Sequence, residues 1–263
     1  MRVTPLVAAA RLRRMPSRIW SRESAEIYDE TSAAKFDPAV LGPTVDCLAD
    51  LANGGPALEL AVGTGRVALP LSERGIEVHG IELSPHMAEV LRGKPGAERV
   101  PVTVGDMTST RVAGTFRLVY LVWNTITNVT TQDEQVAVFA NAAAHLAPGG
   151  RFVVEVIVPG VREVPPGTAA RVFTLEPDHV GIDTFDDLVA QISRSHHWML
   201  VDGTLHRSSA PYRYVWPSEL DLMARLAGMR LEHRWADWDR TPFTSESTSQ
   251  VAVYEKAQEA APN

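Results

Sequence analysis

A chain of 263 residues, 45% hydrophobic with a mean hydropathy of −0.07, is long enough for one substantial core with an insertion beside it. Its net charge of −7 argues against nucleic-acid binding, which draws on clustered cations to neutralise phosphate. No apolar run is long enough to span a membrane, and the single cysteine, Cys47, excludes an intrachain disulfide and fits a reducing, cytoplasmic compartment.

Residues 1–22 carry six arginines and no acid. The apolar portion Leu6–Ala10 is too short for a signal peptide, so this stretch reads as a disordered arm or as residues ahead of a start at Met15. Glu23 to Asp37 is a short polar-aromatic segment containing Tyr28. Val40, Leu41, Val45, Leu48 and Leu51 have helical spacing, Cys47 packs among them, and Asn53-Gly54-Gly55-Pro56 ends the helix.

Ala57 to Val62 is an apolar strand that runs into Gly63-Thr64-Gly65, and a helix is expected from Arg66 that stops before Gly75, its left-handed cap. The two glycines leave backbone bare for a ligand to lie against. Pro70 is tolerated only if it falls in that helix's first turn. The next strand, Ile76 to Leu83, carries Glu82, nineteen residues past Gly63. That spacing suits a carboxylate that grips the hydroxyls of a ribose, so a nucleoside-bearing cofactor is expected. Ser84 caps the following helix, with Pro85 at its first position and Met87 on the first turn.

Val100 to Val104 is a third strand, leading to Gly105-Asp106-Met107. Phe116 to Val122 is a central fourth strand that opens onto Trp123-Asn124-Thr125-Ile126. Thr131 and Glu134 form a capping box, and Val136, Phe139, Ala140, Ala143 and Leu146 define the helix's apolar face, with His145 structural or solvent-facing. Ala147-Pro148-Gly149-Gly150 separates that helix from a fifth strand, Phe152 to Val158, which includes Glu155. Strands alternating with helices predict an α/β fold, a mostly parallel sheet covered on both faces.

After Pro159 the pattern becomes antiparallel. Asp202-Gly203 signals a hairpin that sets Leu200 opposite Leu205 and His197 opposite Ser208. Ser218-Glu219-Leu220-Asp221 caps a helix ending near Gly228. Met229–Trp235 and Gln250–Tyr254 are the last strands, and Ala257 to Asn263 is expected to fray.

The glycine turn alone also fits the G-x-G-x-x-A dinucleotide fingerprint. Glu59 inside the first strand, Asp106 beyond the third and the Ala-Pro-Gly-Gly turn together resemble the class I S-adenosylmethionine-dependent methyltransferases. The resemblance is greatest to small-molecule members such as the amino-sugar N-methyltransferases, and it covers about Ala25 to Val158. It implies a Rossmann-like, doubly wound sheet with an antiparallel β insertion after the fifth strand. The expected divisions are an arm (1–22), a cofactor-binding core with its lid (23–160), an insertion on the substrate side (161–216), and a helix and strand pair completing the sheet (217–263).

By that resemblance the cofactor is S-adenosylmethionine. Glu59, Ala61, Gly63 and Gly65 would cradle its methionyl and ribose part, although the family often has glycine where Ala61 stands. Glu82 would take the ribose hydroxyls, Asp106 and the Met107 backbone would meet adenine, and Leu83 and Met87 would flank it. Val122 and Trp123 would lie beneath the sulfonium, and Tyr28 on the lid would reach the methionyl carboxylate or the nucleophile. Tyr28, Glu155 and His197 are the catalytic candidates. The expected partner is a small-molecule methyl acceptor, at nitrogen or oxygen, and a homodimer is compatible with the resemblance. No metal site is expected, because methyl transfer is a direct displacement that rests on proximity and orientation. Two alternatives remain: a protein of this fold that binds the cofactor without transferring methyl, and a NAD-dependent oxidoreductase. A nucleic-acid amino methyltransferase is disfavoured, since Trp123-Asn124-Thr125-Ile126 stands where its D/N-P-P-Y/F box belongs.

Overall fold

The computed structural model describes residues 20–201 and 203–258. Most of the N-terminal arm, Asp202 of the hairpin turn and the last five residues of the tail therefore lie outside the described residues. The chain begins with α1 (Arg22–Glu26), α2 (Tyr28–Thr31), a 3-10 turn over Ala33–Phe36 and α3 (Pro38–Ala52). Asp37 starts α3 by accepting the Ala39 N–H at 2.8 Å, and Asn53 closes it in the left-handed region at φ 47°.

Next come β1 (Ala57–Leu60), α4 (Ala68–Glu73), β2 (Val78–Glu82), α5 (Pro85–Arg92), β3 (Val102–Val104), β4 (Phe116–Leu121), α6 (Gln132–His145) and β5 (Leu146–Ile157). The insertion is β6 (Ala170–Glu176), β7 (His179–Asp187), β8 (Ile192–Val201) and β9 (Thr204–Arg213). The chain finishes with α7 (Pro217–Leu226), β10 (Met229–Trp235) and β11 (Ser249–Lys256).

The large sheet has the order β10-β11-β5-β4-β1-β2-β3. Strands β1 to β5 pair parallel, and β11 runs antiparallel between β5 and β10. The chain steps outward from β1 to β3 and then returns to β4 on the other side of β1. That reversal opens a crevice at the carboxyl ends of β1 and β4, where such sheets bind ligands.

Alternation along the central strands fills both faces. Val119 and Leu121 join Leu58, Phe139 and Phe152 in one apolar cluster, while Leu118 and Tyr120 join Val45, Leu48 and Val153 in the other. The insertion forms a second, wholly antiparallel sheet in the order β6-β7-β8-β9, and Leu200 does face Leu205, as His197 faces Ser208. Buried Arg213 anchors it to the core, donating to Gln135 and, at 2.7 Å, to Glu219.

Several boundaries depart from the sequence reading. The first strand stops at Leu60 because Ala61 has φ 55°, and the helix expected from Arg66 starts at Ala68. Pro70 is thus its third residue, where the missing N–H costs nothing. The Ala147–Gly150 stretch is a bulge within β5 rather than a separate turn: Leu146 already pairs Phe116, and the register resumes with Leu118 opposite Arg151. Ser218 does not cap α7, since Pro217 fixes its first turn and Trp216 takes the cap position. On α6 the buried face includes Gln135, Val138, Asn141, Ala142 and His145, whereas Ala140 is exposed and Val136 half-buried. Buried polar side chains that bond to neighbouring loops share that face, and apolar spacing alone misses them.

Candidate active site

The turn after β1 is held by a carboxylate. Gly63 has φ +59°, and its N–H donates to Glu82 Oε2 at 2.8 Å, while Ser84 N–H donates to Glu82 Oε1 at 2.8 Å. Glu82 at the end of β2 is buried, which raises its pKa against the pull of these N–H groups. The two glycines serve different ends. A Cβ on Gly63 would come no closer than 3.7 Å to any neighbour, Met87 Cε, whereas one on Gly65 would meet Leu91 Cγ at 3.0 Å and Leu69 Cδ1 at 3.1 Å. Gly63 leaves open backbone, and Gly65 lets α4 and α5 pack closely.

Beneath the turn lies Glu59, 3% exposed, with the Tyr120 hydroxyl donating to its Oε2 at 2.9 Å. Burial pushes its pKa up to about 8, against Tyr120, the charge of Arg66 and the Ala68 N–H. Its carboxyl group therefore supports the turn and the start of α4 from within the core.

The segment of α1, α2 and the following 3-10 turn closes over this turn. Thr64 Oγ1 donates to Asp29 Oδ1 at 2.6 Å, Lys94 pairs with the same aspartate, and Lys94 Nζ donates to the Thr64 carbonyl at 2.8 Å. Tyr28 packs edge-on to Trp20 with ring centroids 5.1 Å apart, and burial raises its hydroxyl pKa.

At the exit of β4, buried Val122 gives way to Trp123, which is 43% exposed. Trp123 and Asn124 are both left-handed, at φ 57° and 56°. Such backbone is costly for residues other than glycine and persists only where neighbours fix it. Here Glu155 Oε2 accepts the Trp123 N–H at 2.6 Å, and Asn124 Oδ1 accepts the Ile157 N–H at 3.2 Å. Glu155 Oε1 in turn accepts Trp238 Nε1 at 3.1 Å. Lys35 Nζ lies 4.3 Å from the Trp123 ring centroid and the Arg66 guanidinium 5.1 Å from it.

Beyond β3, Asp106 Oδ1 accepts both the N–H and the hydroxyl of Thr108, at 2.8 and 2.7 Å. Met107 is buried in the core cluster, and its carbonyl accepts Asn141 Nδ2 at 2.7 Å. Met87 is buried on α5, and Leu83 is half-buried at the β2 exit.

Gly63, Glu82 and Met87 thus meet at one end of the crevice, and Tyr28 and Trp123 both approach Lys35 at its mouth, Tyr28 with its ring centroid 5.9 Å from Nζ. His197 sits apart on β8. Its Nδ1 is 2.9 Å from His179 Nε2, and its Nε2 is 3.0 Å from Ser195 Oγ. Ser195 bonds in turn to Asp183, a carboxyl that is raised by burial and drawn down by Ser195, Tyr212 and Arg171. Asp183, Ser193, Tyr212 and Tyr214 line a cavity together with Thr127 and Ile157, from the loop after β4 and the end of β5. Sequence reading missed Asp29, Lys35, Thr64, Arg66, Lys94 and Asp183. Their partners lie tens of residues away, and the only signal was lysine scarcity: of 25 basic residues three are lysines, two of them at 35 and 94. Among the described residues no metal-ligand cluster and no membrane-spanning helix occur.

Known proteins match this arrangement. The methyltransferase-domain family profile matches residues 57–150, from β1 into the bulge of β5. The solved CcbJ methyltransferase of Streptomyces caelestis is 33% identical, with a TM-score of 0.81 over 92% of this chain and 100% of that one. The cypemycin N-terminal methyltransferase of a Streptomyces species is 27% identical over 88% of this chain and 98% of its own length. A dTDP-4-amino-2,3,4,6-tetradeoxy-D-glucose N,N-dimethyltransferase of Saccharopolyspora spinosa is 31% identical over 53% of this chain and 56% of its own. Identity at this level along the whole of a solved methyltransferase, on a sheet whose crevice carries the glycine turn and its carboxylate, makes the chain a member of the class I S-adenosylmethionine-dependent methyltransferases, of the small-molecule type.

Proposed function

We propose that this enzyme methylates an amine nitrogen of a small natural-product acceptor, and that the insertion over 161–216 selects that acceptor. The observation that carries nitrogen over oxygen is the Asp183 carboxyl on the cavity wall. Arg171 stands 3.7 Å from that carboxyl, yet burial still holds its pKa above the ordinary value, so an acceptor ammonium would be a second cation that offsets the burial. The likeness to the cypemycin N-terminal methyltransferase and to an amino-sugar N,N-dimethyltransferase supports the same reading. A cytoplasmic setting fits the buried thiol of Cys47.

The residues at the crevice fit the cofactor: open backbone at Gly63, a carboxylate at the end of β2 and another beyond β3. The bound cofactor supplies a methyl group already activated on a sulfonium. In this reading Glu82 takes the ribose hydroxyls with its remaining lone pairs. Asp106 and the Met107 backbone take the adenine edge, Leu83 and Met87 flank the ring, and Glu59 and Ala61 shape the turn beside the methionyl part. Val122 and Trp123 form the floor, and Tyr28 covers the methionyl end from the lid. Glu155 acts as a positioning residue, since each of its oxygens already accepts an N–H. His197 acts through Ser195 on Asp183 rather than on the acceptor.

Labelled methyl donor, offered with a nucleotide-linked amino sugar, a free aminoglycoside, a tetrapeptide with a free amino terminus and the hydroxyl analogue of each, tests the reading. Label is expected on an amine and absent from its hydroxyl counterpart. Label on hydroxyls alone would overturn it.

A further inference from the structure

One face of the insertion sheet carries a continuous line of polar side chains that starts at the cavity wall. Asp183 of β7 and Ser195 of β8 are register partners, so their side chains share that face, and they are hydrogen-bonded. Two residues along β8, His197 Nε2 is 3.0 Å from Ser195 Oγ, and its Nδ1 is 2.9 Å from His179 Nε2 on β7. Gly181, between His179 and Asp183, leaves room for the Phe173 ring, which packs edge-on to His197 with centroids 5.4 Å apart. Asp183 is 7% exposed, whereas Ser195, His197 and His179 are half-buried, so the line leads from the interior towards solvent. The opposite face offers a contrast. His196 lies 3.3 Å from Thr184 Oγ1 and 3.1 Å from Ser209 Oγ, and neither partner lines the cavity.

We propose that Asp183 takes the proton that turns the methyl acceptor's ammonium into a free amine, and that Ser195, His197 and His179 relay this proton to solvent. The inference rests on the nitrogen reading above. A proton passes from the acceptor nitrogen to a carboxylate oxygen of Asp183. The freed lone pair forms the new bond to the methyl carbon, the carbon–sulfur bond breaks, and its electron pair stays on sulfur. The methylated ammonium is left facing a neutral carboxyl, which must lose its proton before the next turnover. Ser195 makes the link because a hydroxyl donates once, accepts twice and rotates. Against the Asp183 anion it donates; from the protonated acid it accepts, and it turns its own proton to His197 Nε2. In the Nδ1–H tautomer His197 then passes its other proton to His179 Nε2, which releases one from Nδ1 to water. Exchange with water at the exposed end resets both tautomers.

The charged and titratable groups facing Asp183 are Arg171 from β6, itself 3.0 Å from Glu163, and the Tyr212 hydroxyl from β9. Arg171 and the two hydroxyls favour the anion, the form able to take a proton, while burial, the largest influence, raises the pKa against them. Burial also raises Tyr212, so its phenol stays a donor. Facing the imidazole pair are Glu176, the register partner of His179, and His206, across Met199. An imidazole can take a proton on one nitrogen as it gives one from the other, which suits the pair to relay.

On whichever amine of the panel takes label, Asp183→Asn is expected to lower kcat by about 100-fold at pH 7 and far less at pH 9.5, where the acceptor deprotonates unaided. Ser195→Ala breaks the line one step out and leaves the carboxyl in place. It is expected to lower kcat about tenfold at pH 7 with KM within about twofold, and to recover by pH 9.5. Full activity at pH 7 in Ser195→Ala overturns the relay, and so does an equal loss at both pH values, which marks the line as structural. A measurement without turnover stands beside these. In protein labelled with ¹⁵N-histidine, His179 and His197 are expected to titrate as one coupled pair whose midpoints move in Asp183→Asn; two independent curves, unmoved by that change, would overturn the proposal. Label on hydroxyls alone removes the nitrogen reading and the relay with it, and is recognised because the unaltered enzyme then methylates no amine at either pH.

Discussion

At the carboxyl edge of the large sheet, acidic side chains hold backbone; on the insertion sheet, polar side chains hold one another. Glu82 ties Gly63 and Ser84, Asp106 ties Thr108, and Glu155 ties Trp123. On β7, β8 and β9 the bonds run His179 to His197 to Ser195, and Thr184 to His196 to Ser209. The difference teaches which half can change. An acid that satisfies main-chain donors cannot be replaced without moving the loop it defines, whereas a side-chain network can be rewritten while its strands keep their own ladder. The sheet that carries the glycine turn is therefore constrained by its shape, and the insertion, the proposed acceptor side, is open to new chemistry.

The largest effect should come from Glu82→Ala, which leaves two main-chain donors without their partner as well as removing the proposed ribose contact. Calorimetry should show adenosylhomocysteine affinity down by at least 100-fold, about 3 kcal/mol, with a lowered melting temperature. Unchanged affinity in a folded variant would break the comparison at its strongest point.

Next is Glu59, whose folded pKa of about 8 lies above its ordinary value of 4.5. The folded protein keeps a proton there that the unfolded chain releases, so this contribution is complete below pH 4.5 and is lost as pH rises to about 8. The unfolding free energy from urea titrations should fall across that window by up to about 1.4 kcal/mol per pH unit, and Glu59→Gln should flatten the slope.

Thr64→Val removes the 2.6 Å bond between the glycine turn and the lid. The expected change is about 1 kcal/mol, seen as weaker adenosylhomocysteine binding by about fivefold and faster proteolysis within residues 20–37.

The smallest effect sharpens the contrast from the other side. His197→Gln should leave adenosylhomocysteine affinity within about twofold while transfer to the acceptor falls. A tenfold loss of cofactor affinity would show that the two halves are coupled.

Where the sequence speaks locally, it was readable. Ser84 accepts from Met87 N–H across one turn, Thr131 accepts from Glu134, and the register of the β8–β9 hairpin follows from its turn. The site legible from spacing was the one where a strand, a glycine turn and the next strand's acid fall in fixed order. What stayed hidden was held by distance in the chain. Asp29 meets Thr64 across 35 residues, and Glu155 meets Trp238 across 83. The face of α6 was misjudged for a related reason: Gln135 is buried because Ile126 and Arg213 offer it carbonyls, a compensation that no apolar count contains.

The brace under Trp123 bears on how far this enzyme can be dissected. The stretch matched by the methyltransferase-domain profile ends at residue 150, yet the acid that fixes the aromatic wall is at 155, its indole partner is at 238, and the strand beside it is β11. A fragment cut to the recognisable motif would keep the glycine turn and lose what holds the wall opposite. Modularity ends there: Trp238 and β11, bare of any cofactor motif, brace the loop after β4 from the far end of the chain.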